Sequence, residues 1–161
     1  MKGFFNRLLR VDLARRSFRY EEIPDRVLAS TLGGKGLGAH YLWEENPVGV
    51  DPFAEEARFI MAVGPITGTR LWSQSRYAVF AKSPATMGYG ESYCGGSLAP
   101  KIKGCGVDAL ILEGCSPAPV SLLVDGEGVR FLDAASLWGE DTARATEALL
   151  AGAPPKAGAM V

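Results

Sequence analysis

The residues best placed to do chemistry lie between Ala62 and Gly96. Arg76 follows Ser73-Gln74-Ser75 and opens an apolar run, Tyr77–Phe80. Lys82-Ser83-Pro84 ends that run, and a Gly/Ser/Tyr-rich stretch leads to Gly95-Gly96. An arginine at such a junction can give paired hydrogen bonds to a phosphate or carboxylate. Gly95-Gly96, just ahead of a predicted helix, adds backbone N–H donors and the positive end of a helix dipole. Lys82 can add charge or simply face solvent. Together these residues point to a phosphate-bearing, anionic ligand rather than to bond-making chemistry.

Other chemistries find less support. His40 is the one histidine, so a Ser–His or Cys–His pair has a single candidate base. It lies beside Tyr41 and Trp43 and reads as a packed or surface residue. The carboxylates Asp51, Glu55, Glu56, Asp108, Glu113, Asp133 and Asp141 are scattered, and none is marked as half of an acid–base couple. The three cysteines, Cys94, Cys105 and Cys115, form no C-x-x-C pair and match no zinc or iron–sulfur spacing. They read as reduced, mostly buried thiols, with Cys94 set apart by its place in the glycine-rich stretch. Gly34, Gly36 and Ala39 satisfy G-x-G-x-x-A, but no buried strand precedes them. They fit close helix packing, or a phosphate near a helix N-terminus, better than a dinucleotide fold.

The elements that must position these residues follow from periodicity. Phe4–Leu13 and Phe18–Glu22 alternate and predict a hairpin. Pro24 starts a short helix over 25–32, Gly33–Gly38 follows, and Ala39–Glu44 is helical. Arg58–Val63 and Tyr77–Lys82 predict strands, with residues 83–96 as a long loop. Leu98–Lys103 predicts a short helix and Val107–Glu113 a central strand. Val120–Val124 and Val129–Leu132 form a hairpin about Asp125-Gly126-Glu127-Gly128. Asp141 caps a helix running to Leu150. Ala157–Val161 reads as the first residues of another strand, so the tail looks like an interruption rather than the end of a domain. The order predicts an α+β domain with mainly antiparallel sheets.

Composition excludes several classes. The chain has 161 residues, is 47% hydrophobic and carries a net charge of −1. That is one domain with a real core and no basic excess for nucleic acid. No apolar run approaches a membrane span. Asn6, Arg7, Arg10 and Asp12 interrupt the N-terminal apolar stretch, so it does not read as a signal peptide and a cytoplasmic setting is expected.

The chain resembles the N-terminal domain of the aldehyde ferredoxin oxidoreductase family of tungsten bis-pterin enzymes. The resemblance rests on the order and spacing of Leu9-Arg10-Val11-Asp12-Leu13, Gly33-Gly34-Lys35-Gly36-Leu37, Asp51-Pro52, Gly64-Pro65-Ile66-Thr67-Gly68-Thr69, Arg76-Tyr77, Lys82-Ser83-Pro84, Gly95-Gly96, Lys103-Gly104 with Asp108, and Leu137-Trp138-Gly139. It implies a two-sheet base, over residues 1–161, beneath a tungsten or molybdenum cofactor with two pyranopterins. It implies oxidation of aldehydes to carboxylic acids with electrons passed to ferredoxin. The residue at Arg76 and the loop Tyr93–Gly96, Gly95 included, would contact the pterin phosphates. The residue at Tyr93 is usually Asn in the family and helps hold a Mg²⁺ through its backbone carbonyl, which Tyr93 retains. The family's acid–base residues and [4Fe–4S] cysteines would lie on a downstream segment or a partner chain, so this chain is expected to lack turnover alone. The alternative is a non-catalytic pterin-binding or assembly module working with a separate iron–sulfur chain.

Overall fold

The computed structural model describes residues 1–161. Strands β1 (Arg7–Asp12) and β2 (Ser17–Glu22) form the expected hairpin, with Leu9 opposite Tyr20 and Val11 opposite Phe18. They join β3 (Phe59–Val63), β4 (Tyr77–Lys82), β5 (Tyr89–Cys94) and β6 (Ala109–Glu113) in a six-stranded sheet of order β2-β1-β6-β3-β4-β5. Only β1 and β6 run parallel; every other neighbour is antiparallel. A second sheet is the hairpin of β7 (Val120–Val124) and β8 (Val129–Asp133). This is the α+β, two-sheet architecture that the residue order predicts.

The main sheet is buried on both faces because β3 and β6 are apolar at nearly every position and β1 adds Leu8, Leu9 and Val11. On one face Leu8, Ile60, Ile111 and Phe80 pack beneath helices α1 (Asp25–Thr31) and α2 (Gly34–Glu45), which contribute Leu28 and Leu37. On the other, Leu9, Val11, Met61 and Leu110 pack beneath α3 (Leu98–Gly104) and the β7–β8 hairpin, through Ala99 and Val129. Helix α4 (Thr142–Ala151) follows a short 3-10 turn at 135–137, and the Asp141 carboxylate caps it by accepting from the Arg144 amide at 2.9 Å.

Three expectations change. The glycine run is not a separate connection, since α2 begins at Gly34. A Cβ on Gly38 would stand 2.1 Å from Phe80 Cδ2, and one on Gly36 would stand 2.2 Å from the Thr31 carbonyl oxygen. These glycines let α2 seat against β4 and α1, which is the packing role of the two weighed for them. Second, residues 83–96 are not one long loop. Tyr89–Cys94 forms β5, paired along its whole length with β4. Gly90 hid the strand, although a Cβ there would crowd the Ala81 carbonyl oxygen at 3.1 Å. Third, Ala157–Val161 forms no strand. Lys101 Nζ donates to the Ala157 carbonyl at 2.6 Å, and Met160 and Val161 border an apolar hollow of about 340 Å³ over Phe59, Tyr77 and Val79. No helix is long and apolar enough to cross a membrane.

Candidate anion-binding site

The loop from Gly64 to Ser75 is braced at its base. The Gly64 amide donates to Thr67 Oγ1 at 3.2 Å, and the Gly68 amide donates to Gln74 Oε1 at 2.6 Å. The Arg76 amide then donates to the Gln74 carbonyl at 3.0 Å, delivering the chain into β4. Arg10, Arg15, Arg19, Arg58, Arg130 and Arg144 all have carboxylate partners. Arg76 is exposed and its guanidinium has no such partner. Arg70, earlier in the same loop, is exposed as well.

The β4–β5 ladder brings Arg76 to the glycines. Tyr77 pairs with Cys94, so the next residue outward on each strand is Arg76 on one side and Gly95 on the other. The Ser75 hydroxyl donates to the Gly96 carbonyl and ties the two segments together. Gly96 has φ +86°, and a Cβ added there would meet nothing within 4 Å. Its glycine therefore serves the backbone conformation, not packing. An unpartnered guanidinium beside a glycine backbone is a donor set that can bind a phosphate ester.

Tyr93 sits two residues inward, opposite Ala78. Its hydroxyl donates to Glu91 Oε2 at 3.4 Å, so its phenol is engaged along β5. Its carbonyl is the only metal-directed atom expected at this position. No three His, Cys, Asp or Glu side chains converge anywhere to hold a metal, so a cation here would depend on backbone and ligand oxygens. Lys82 lies at the far end of β4, opposite Tyr89, and its ammonium donates to the Val50 carbonyl. A strand of this length separates it from Arg76 by about 17–20 Å, so it does not serve the site.

The remaining reactive groups are structural or isolated. His40 is half-buried against Tyr41, with ring centroids 5.4 Å apart. The thiols are free but not mostly buried: Cys94 and Cys115 are exposed. Cys94 donates to the Gly95 carbonyl at 3.4 Å. Burial, with the neighbouring Cys94 second, pushes the Tyr77 hydroxyl up to about 12, which keeps it neutral near pH 7. Arg10, 6% exposed, is held by Glu21 at 2.8 Å and Glu45 at 2.6 Å. The buried Lys103–Asp108 pair also accepts the Phe5 amide at 2.9 Å. Sequence reasoning passed over Lys35, Tyr89 and Glu91, whose period-two spacing with Tyr93 was readable in Tyr89-Gly90-Glu91-Ser92-Tyr93.

The two-sheet α+β fold recurs in known proteins. The family model for the N-terminal domain of aldehyde ferredoxin oxidoreductase matches residues 8–161. The chain therefore belongs to the aldehyde ferredoxin oxidoreductase family, as its N-terminal domain. It is 35% identical over 149 residues to a tungsten-containing aldehyde ferredoxin oxidoreductase of Pyrococcus abyssi, covering 92% of this chain and 24% of that protein. It is 33% identical over 142 residues to the WOR-like subunit of an aliphatic sulfonate oxidoreductase of Pyrococcus furiosus, covering 86% and 22%. Among solved structures, the active-site complex BamBC of benzoyl coenzyme A reductase, with 1,5-dienoyl-CoA, superposes with a TM-score of 0.88 at 32% identity, over 92% of this chain and 23% of that one. The chain thus spans about a quarter of the length of the relatives it matches.

Proposed function

We propose that this chain is the pterin-phosphate-binding domain of a tungsten- or molybdenum-dependent aldehyde oxidoreductase, without turnover of its own. The observation that carries the reading is the unpartnered Arg76 guanidinium beside the Gly95-Gly96 backbone, tied together by Ser75. Arg76 would bind a cofactor phosphate through paired hydrogen bonds, and the Gly95 and Gly96 amides would add neutral donors. The Tyr93 carbonyl would offer one oxygen to a Mg²⁺ shared with phosphate oxygens. When bound, the metal–bis-pterin group would supply two-electron chemistry for aldehyde oxidation. A [4Fe–4S] cluster and the route to ferredoxin would reside outside these residues. The three unpaired thiols suit a reducing, cytoplasmic compartment.

Expression with tungstate, followed by assay of bound pterin and metal, tests the reading. Arg76→Ala should lower pterin content on the order of tenfold, the cost of one charge-assisted contact. Unchanged content contradicts the assignment. Aldehyde oxidation by the chain alone, with metal and pterin supplied, contradicts the lack of turnover.

A second reading is a non-catalytic module that carries cofactor for a separate iron–sulfur chain. It is favoured by relatives whose names describe a subunit and a two-component complex. Affinity purification from the native source separates the two: a co-purifying iron–sulfur chain supports the first reading, as part of a split enzyme, and a lone chain carrying free pterin supports the module.

A further inference from the structure

Strand β5 is the sheet edge that carries the proposed phosphate loop, and it is weakly held. It pairs on one side only, and nearly all its residues are exposed. Edge segments of this kind open at low free energy. One side chain counters this. Glu91 accepts from Lys35 Nζ at 2.8 Å, from the Tyr89 hydroxyl at 2.7 Å and from the Tyr93 hydroxyl at 3.4 Å. Lys35 stands in the first turn of α2, which Gly38 seats directly on Phe80 of β4. The carboxylate therefore joins an edge strand to the most firmly packed helix. Tyr89, Glu91 and Tyr93 alternate along the strand, so all three reach the same face.

We propose that Glu91, anchored by Lys35, is a positioning residue: it locks the Tyr93 side chain and so fixes the Tyr93–Gly96 backbone for phosphate binding. The inference rests on the phosphate reading above and deepens it. The charge states support it. Hydrogen bonds from Lys35, then Tyr89, hold the Glu91 carboxyl below the usual carboxylate range. Glu91 in turn raises Lys35, and burial, with Glu91 second, raises Tyr89. The Lys35–Glu91 pair and the Tyr89 hydrogen bond thus persist across neutral pH. Neither Glu91 nor Lys35 touches ligand; they act through Tyr93.

The test uses the 161-residue chain with magnesium pyrophosphate as probe, read by titration calorimetry and by amide hydrogen exchange of residues 92–96. Glu91→Ala should speed exchange there on the order of tenfold and weaken pyrophosphate binding by a similar factor, as loss of a supporting contact does. Exchange in β1, β3 and β6 should not change. The conservative Glu91→Gln keeps an oxygen that accepts from Lys35 and the two tyrosine hydroxyls, so it should recover most of the slow exchange and of the binding. Unaltered exchange in Glu91→Ala, or no recovery in Glu91→Gln, overturns the inference; if Arg76→Ala still weakens binding in that case, the phosphate reading stands. If Arg76→Ala leaves pyrophosphate affinity at the wild-type value, the phosphate reading fails and the positioning role falls with it.

Discussion

Two arginines show how surroundings divide structural from functional charge. Arg10 is buried among Glu21, Glu45 and Glu113, and its hydrogen bonds to Glu45 and Glu21 outweigh the desolvation that opposes its charge. Removing it would leave carboxylates without a counter-charge, so Arg10→Met should cost about 3 kcal/mol in urea unfolding. Arg76 supports no such network, and Arg76→Ala should change stability by less than about 0.5 kcal/mol while weakening anion binding. The Arg10 cluster also sets an acid limit. Arg10 holds the Glu21 carboxyl below the usual range, against burial, which pushes it up. A depressed acid contributes its full stability above the unfolded-state value, near ~4.3, and loses it as pH falls through the lower folded value. Stability should therefore drop below about pH 4, and that drop should shrink in Glu21→Gln.

At the level of elements, the sequence and the structure agree wherever periodicity is strong. The apolar alternation of Leu9, Val11 and Leu13, and the continuous run around Leu110, were readable because these strands are buried. β5 was missed although Tyr89, Glu91 and Tyr93 alternate, because the strand lies on an exposed edge and Gly90 interrupts it. The helix start at Gly34 was equally obscured, because glycine propensity opposes a helix that only tertiary contact with Phe80 requires. The grouping of Arg76 with Gly95 followed from residue types, and the β4–β5 ladder sets the two side by side. The distance of Lys82 was implicit too, since it ends the strand that Arg76 opens. Packing at the α2–β4 contact gives a sharp expectation. Gly38→Ala would force a methyl into the fully buried Phe80 ring, which should destabilise by about 1–3 kcal/mol. Thermal unfolding measures it, and a neutral result would mean α2 can shift off β4.

For the whole molecule, the Lys103–Asp108 pair joins three regions: the N-terminal segment through the Phe5 amide, α3 through Lys103, and the entry to β6. Lys103 also lies 5.4 Å from the centroids of the Phe4 and Phe5 rings. Asp108→Ala would strand a buried ammonium, with an expected loss of about 3 kcal/mol, or on the order of 10 °C in Tm for a domain of this size. The same α3 adjoins the Gly68 turn, so this pair underlies the loop that presents Arg76. The molecule as a whole is thus a buried sheet with one exposed corner, where the braced loop, the Gly95-Gly96 bend and β5 meet.

The measurement that tests the account most directly is an amide and arginine-Nε NMR titration of the chain with magnesium pyrophosphate. The account predicts saturable shifts concentrated at Gly95, Gly96 and the Arg76 side chain, all lost in Arg76→Ala. Shifts centred instead on the N-terminus of α2 at Gly34–Gly36, or no saturable shifts at all, would contradict it.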